Sequence, residues 1–185
     1  EGRAMVRALA IMALAAVAWV MMTRRATAAV TVTEPGPMNS VLTGPAAYLA
    51  IVRRLNADEF GGFFDPALIM GMIATESSYR PNAYRYEARL GEASYGLMQV
   101  LESTARDRGM VGSPEQMYDP EIGIRFGMRQ LKWSYDYLAA RIGPPSREQL
   151  LSAYNAGVGY VVKGGARIDY AAKVELYMAD WVGYA

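Results

Sequence analysis

The 185-residue sequence contains neither cysteine nor histidine. Without cysteine there can be no disulfide and no thiolate nucleophile, and the redox compartment stays open. Without histidine there can be no Ser-His-Asp triad and no histidine-ligated zinc. Acid–base chemistry near neutral pH therefore falls to a carboxylate, lysine or tyrosine whose pKa has been displaced. Charge of one sign is not in excess either: 19 basic residues face 18 acidic ones, for a net charge of +1. Bulk electrostatic attraction to nucleic acid is thus not expected. What is present is a 52% hydrophobic and 20% charged chain, neither disordered nor fibrous in composition. Its length suits one compact domain with some additional chain.

The additional chain lies at the start. Arg3 and Arg7 precede an uncharged run over residues 8–22, followed by Arg24, Arg25 and the small residues Ala26-Thr27-Ala28-Ala29. A basic start, a short apolar run and an Ala-Thr-Ala tripeptide read as a signal peptide over residues 1–30. The arginines beyond the run favour the competing reading, an alanine-rich membrane anchor. A buried core helix is the third option, although no polar face interrupts the run. Residues 31–45, with Pro35, Gly36, Pro37, Gly44 and Pro45, read as a linker. The domain proper is expected over residues 46–185.

From residue 46 onward helical spacing dominates over strict alternation. Ala47, Leu49, Ile51, Val52 and Leu55 suggest a first helix, which Gly61-Gly62 would end. Asp65-Pro66 then supplies an N-cap and a proline at the first helical position. Leu68, Ile69, Met72 and Ile73 form an inward stripe, and Glu76 continues it seven residues beyond Ile69. Pro81 would close the segment. A glutamate on an apolar stripe, near the negative end of a helix, has its ionised form disfavoured twice. Such a group can stay protonated near neutral pH and donate to a leaving oxygen. A glutamate bonded to backbone across a helix end fits the same spacing, so spacing alone leaves both readings open.

Four segments narrow the choice. They are Glu76-Ser77-Ser78-Tyr79-Arg80-Pro81-Asn82-Ala83, Ser94-Tyr95-Gly96-Leu97-Met98-Gln99-Val100 with Ser103-Thr104-Ala105 behind it, Ala153-Tyr154-Asn155-Ala156-Gly157, and Asp169-Tyr170 with Lys173, Val174 and Tyr177. In this order they resemble the motifs of the soluble lytic transglycosylase family, whose core is similar to goose-type lysozyme. The resemblance runs over roughly residues 46–182. It implies a mainly α, lysozyme-like domain with a catalytic cleft, preceded here by the N-terminal hydrophobic segment.

Read from the residues themselves, Gly96 lets backbone approach a ligand closely. Gln99 offers a donor and an acceptor to a sugar. Leu97 and Met98 suit either the core or a sugar face. Asn155 suits the end of a helix closed by Gly157. The resemblance implies Glu76 as catalytic acid and base. It implies Ser94, Gly96, Leu97, Met98, Gln99, Tyr154, Asn155 and Tyr170 as substrate-binding, with the Tyr170 hydroxyl near Glu76. It departs from the family pattern at Glu102, where proline is common, and at Gly123, where asparagine is. Residues 84–92 are unusually charged for a cleft rim, with Glu87 and Glu92 as the acids nearest the second motif.

The implied activity is cleavage of the β-1,4 bond between N-acetylmuramic acid and N-acetylglucosamine in bacterial peptidoglycan. The muramic C6 hydroxyl attacks in place of water and leaves a 1,6-anhydro sugar, with no cofactor and no metal. True hydrolysis with Glu87 or Glu92 holding a water is one rival, and a glycan-binding module without activity is another. The expected partner is the glycan strand. The short chain, with no added wall-binding segment, favours an accessory role in a larger envelope-spanning or virion assembly. Export to the periplasm or cell envelope follows from the N-terminal reading, with membrane contact only through residues 8–22 if they are retained.

Overall fold

The structure, a computed structural model, describes residues 44–184. The expected signal or anchor over residues 1–30 and the expected linker up to residue 43 lie outside the described residues. No helix among the described residues is long and apolar enough to cross a membrane.

Helix α1 (Pro45–Phe60) begins at the residue expected to end the linker, because the fixed φ of proline suits a first helical turn. It buries Tyr48, Leu49, Val52 and Leu55 along one face. It ends at Gly61 and Gly62, both at positive φ. The buried Asn56 side chain donates to the Phe64 carbonyl at 2.8 Å and accepts from the Phe64 amide at 3.0 Å. That pair fixes the approach to the next helix.

Helix α2 (Pro66–Ser77) starts as its sequence requires, with the Asp65 carboxylate accepting from the Ala67 amide at 2.9 Å. The expected single inward stripe understates its burial. Every residue from 67 to 74 is buried, which makes α2 the central helix of the core. Its Gly71 explains how a neighbour comes so close: a Cβ there would lie 2.6 Å from the Val174 carbonyl oxygen. The helix stops at Ser77, with Ser78 and Tyr79 both at positive φ, before Pro81 is reached.

A three-stranded antiparallel sheet follows, β1 (Tyr84–Glu87), β2 (Glu92–Tyr95) and β3 (Val100–Leu101), in the order β1-β2-β3. Arg85 pairs with Ser94 and Glu87 with Glu92. A helical reading of the chain missed this sheet. Its strands are two to four residues long, and β1 buries no residue completely, so little apolar alternation marks it. The visible sign is the aromatic–charged alternation Tyr84-Arg85-Tyr86-Glu87, closed by Gly91 at φ 69°.

Helix α3 (Glu102–Asp107) starts without the usual proline and without a cap from Leu101. Glu92 supplies the cap from the neighbouring strand: its carboxylate accepts from the Ser103 amide and the Ser103 hydroxyl, each at 2.8 Å. Glu92→Ala should therefore lower stability by about 1 kcal/mol, measured as a shift in the urea midpoint. An unchanged midpoint would show the cap to be dispensable.

A 3₁₀ turn (Pro114–Tyr118) leads to the long helix α4 (Pro120–Ile142), capped by the Asp119 carboxylate on the Glu121 and Ile122 amides. Gly123 has a packing reason to be glycine: a Cβ would lie 2.5 Å from the Met117 carbonyl oxygen. Helix α5 (Arg147–Ala156) begins with a capping box between Ser146 and Gln149. It ends where the Gly157 amide donates to the Ala153 carbonyl, so the backbone closes it without help from Asn155. The short α6 (Val158–Val162) and α7 (Ile168–Met178) complete the domain. Helix α7 buries Tyr170, Ala171, Val174 and Met178 and packs on α2 at Gly71.

Candidate active site

Glu76 lies one residue before the C-terminal end of α2, partly buried, at the edge of a cavity of about 210 Å³. The β1–β2 hairpin forms the facing wall with Arg85, Glu87, Leu90 and Ser94. Gln99, Val100 and Leu101 come from the second motif and β3. Thr104 of α3, Gln130 of α4, and Tyr154 and Asn155 of α5 complete the lining.

Burial pushes the Glu76 carboxyl above its ordinary range. Three groups oppose that shift: a hydrogen bond from Tyr170, the charge of Arg85 and the charge of Lys173. The charge of Glu87 adds to it. The Tyr170 hydroxyl donates to Glu76 Oε1 at 2.6 Å, a bond set up by the packing of α7 on α2. Burial and the nearby Glu76 charge hold the Tyr170 phenol far above its usual pKa, so it remains a donor throughout the working range. Tyr154 is likewise held as a neutral phenol by burial, and its hydroxyl donates to the Met98 carbonyl at 2.9 Å.

The residues expected around Glu76 divide into two groups. Ser94, Gln99, Tyr154 and Asn155 line the cavity, and Tyr170 reaches Glu76 itself. Leu97 and Met98 do not reach the cavity with their side chains, which are fully buried in the core. Met98 packs on Gly127, where a Cβ would lie 2.3 Å from its sulfur. What Met98 presents toward the site is its carbonyl, which anchors Tyr154. Gly96 is glycine for the sake of protein rather than ligand: it has φ 73°, and a Cβ would lie 2.1 Å from the Met117 carbonyl oxygen. Gln99 spends its amide nitrogen on the Ala83 and Gly96 carbonyls at 3.2 and 3.0 Å, leaving Oε1 as the atom to offer.

Sequence reasoning gave no role to Arg85, Leu90 or Gln130. Arg85 and Glu87 share one face of β1 by the two-residue period of a strand, which becomes a signal once the strand is recognised. Gln130 lies one turn beyond Gly127 on α4. The two acids near the second motif have different surroundings. Both oxygens of Glu92 are taken by Ser103, whereas Glu87 lines the cavity with Glu76. Glu87 Oε1 accepts from Arg85 Nε at 2.5 Å and from the Ser94 hydroxyl at 3.2 Å. Among the described residues no group of acidic side chains is arranged to hold a metal ion.

Fold and site together define a lysozyme-like helical domain with a partly buried, tyrosine-bonded glutamic acid at its cleft. Residues 61–175 match the family model described as the transglycosylase SLT domain, and the chain belongs to that family. The membrane-bound lytic murein transglycosylase C of Mannheimia succiniciproducens is 37% identical over 135 residues, 68% of this chain and 35% of that protein. Its counterpart in Haemophilus influenzae is 35% identical over 142 residues, 71% of this chain and 37% of that protein. The chain thus spans about a third of the length of these curated relatives. Among solved structures, the 70 kDa soluble lytic transglycosylase of Escherichia coli superposes with a TM-score of 0.51 at 21% identity, over 74% of this chain and 21% of that one. The lytic transglycosylase Slt of Pseudomonas aeruginosa gives 0.52 at 21% identity, over 75% and 22%. These two likenesses establish the fold.

Proposed function

We propose that this chain cleaves the glycan strands of peptidoglycan as a lytic transglycosylase, with Glu76 serving first as acid and then as base. The observation that carries the reading is the Glu76–Tyr170 pair at the cleft. Tyr170 donates to Oε1, so the carboxylic proton resides on Oε2, available to the oxygen of a bound glycosidic bond. Protonation of that oxygen between N-acetylmuramic acid and N-acetylglucosamine breaks the bond to the muramic anomeric carbon, assisted by the muramic N-acetyl group. The carboxylate left behind takes the proton of the muramic C6 hydroxyl, whose oxygen closes on the same carbon. Glu76 is thereby restored and no water is consumed.

Tyr170 is a positioning residue in this scheme, holding one carboxyl oxygen so that the other faces the sugar. Ser94, Gln99 Oε1 and Asn155 supply polar contacts to the sugars from three sides of the cavity, and Tyr154 fixes the Met98 backbone beneath them. The relatives bear names that describe membrane-bound murein enzymes. A place in the cell envelope, reached through export or anchoring by residues 1–30, fits this reading.

Purified sacculi digested with the protein should release muropeptides with 1,6-anhydro ends, each one water lighter than a hydrolysis product and inert to borohydride. Mass spectrometry before and after reduction reads this directly. Reducible muramic ends as the main product would replace the transglycosylase reading with a hydrolase.

A further inference from the structure

Two carboxylates line this cleft, and one of them is tied. Arg85 and Glu87 alternate with Tyr84 and Tyr86 along β1, so both charged side chains fall on the cavity face while Tyr84 packs against Tyr95. The Arg85 guanidinium reaches Glu87 Oε1 at 2.5 Å, and the Ser94 hydroxyl holds the same oxygen. Charges of the two signs both reach Glu76, where they act in opposite senses. The pair therefore presents almost no net charge to a bound sugar. Arg85 is exposed and Glu87 is partly buried, with side chains 61% and 29% accessible. An ion pair with so exposed an arginine contributes little to stability, so folding alone does not account for its place in the cleft.

The chemistry of the cleft does account for it. An inverting glycosidase uses a second carboxylate across the bond to orient and deprotonate the attacking water. Glu92 cannot serve, because it caps α3. Glu87 can, if released, because it lines the same cavity as Glu76. We propose that Arg85 is a product-determining residue that clamps Glu87 and so withholds from the cleft the base that hydrolysis requires. This rests on the transglycosylase reading above.

The two outcomes differ in one bond. With Glu87 clamped, the C6 oxygen closes on the anomeric carbon once the leaving oxygen has departed, and Glu76 gives one proton and takes one back. With Glu87 released, a water oxygen forms that bond. Glu87 takes a proton from the water, Glu76 gives its proton to the leaving oxygen, and the net change is the addition of one water.

The test uses the full protein on purified sacculi, with anhydro and reducible muramic ends counted by mass spectrometry. Arg85→Gln should raise the ratio of reducible to anhydro ends about tenfold or more, given the usual worth of a positioned base. Arg85→Lys, which keeps a charge but not the planar fork, should fall between it and the wild type. The double variant Arg85→Gln/Glu87→Gln should return the ratio to the wild-type value. An unchanged ratio in Arg85→Gln, a rise that survives removal of Glu87, or loss of all cleavage in a folded Arg85→Gln protein would each overturn the proposal while leaving the transglycosylase reading in place. Reducible ends from the wild type would instead defeat that reading, and this proposal with it.

Discussion

Glu76→Gln should fold as the wild type does and lose about a hundredfold to ten-thousandfold of its lytic rate, the usual worth of a single general acid. The glutamine Oε1 can still accept from the Tyr170 hydroxyl, and the side chain keeps its length, so the α2–α7 contact survives. What is lost is the exchangeable proton, used twice in the proposed cycle. The variant also has a pH signature. Burial raises the Glu76 pKa above its ordinary value of 4.5, so between the unfolded and folded pKa the native state holds the proton more tightly than the unfolded chain. Glu76 therefore makes stability fall as pH rises through that window, and its contribution levels off above the folded pKa. Glu76→Gln should flatten this part of the stability profile, as measured by denaturant unfolding across pH. Wild-type lysis should decline on the alkaline side over the same window, as the acid form is lost. A variant that retains most of its lytic rate would move the acid elsewhere.

Gly96→Ala should be the most damaging single methyl in the domain. Gly96 has φ 73°, a left-handed conformation that costs an L-residue about 1–2 kcal/mol. The new Cβ would also meet the Met117 carbonyl oxygen at 2.1 Å, and backbone cannot rotate aside as a side chain can. Overpacking adds about 1–3 kcal/mol. A total near 3 kcal/mol should lower the melting temperature by roughly 10 °C in a domain of this size. Gly91→Ala is the matched control: its φ of 69° is similar, but nothing lies within 4 Å of the added carbon. It should cost only the conformational share, about 1 kcal/mol. Equal melting temperatures for the two variants would show that the Met117 contact yields easily. Lysis by Gly96→Ala should suffer as well, because Gly96 also accepts the Gln99 amide that orients the cavity-facing oxygen.

The helical part of the domain was legible because its signals are local. The Asp65-Pro66 start, the Gly61-Gly62 stop and the Gly157 closure each act within a few residues, and the structure places them where the chain implies. Glu76 was legible as a residue out of keeping with its apolar helix, and the meeting with Tyr170 followed only from a motif ninety-four positions away. Physical spacing carries no information about such a pairing.

Other features depend on distant parts of the chain. Gly96 and Gly123 look like a ligand-binding glycine and a missing helix cap, yet both make room for one carbonyl, that of Met117. Leu97 and Met98 share a motif with Gln99 but are fully buried in the core, whereas Gln99, at positive φ, lines the cavity. The roles of Glu87 and Glu92 are separated by a strand pairing too short to leave a periodic trace.

The burial of α2 on all sides has a consequence for how the cleft responds to its substrate. Opening a segment costs in proportion to the apolar contacts it must break. For α2 those contacts surround the helix, so the acid rides on a segment that is costly to open. The facing hairpin has the opposite character: Tyr84, Arg85 and Tyr86 are exposed, and Leu90 at its turn is 61% accessible. The cleft therefore pairs a fixed jaw with a yielding one. On the proposed function, a glycan strand bearing peptides on some sugars and none on others would be admitted by displacement of the hairpin, while Glu76 keeps its place on the core helix.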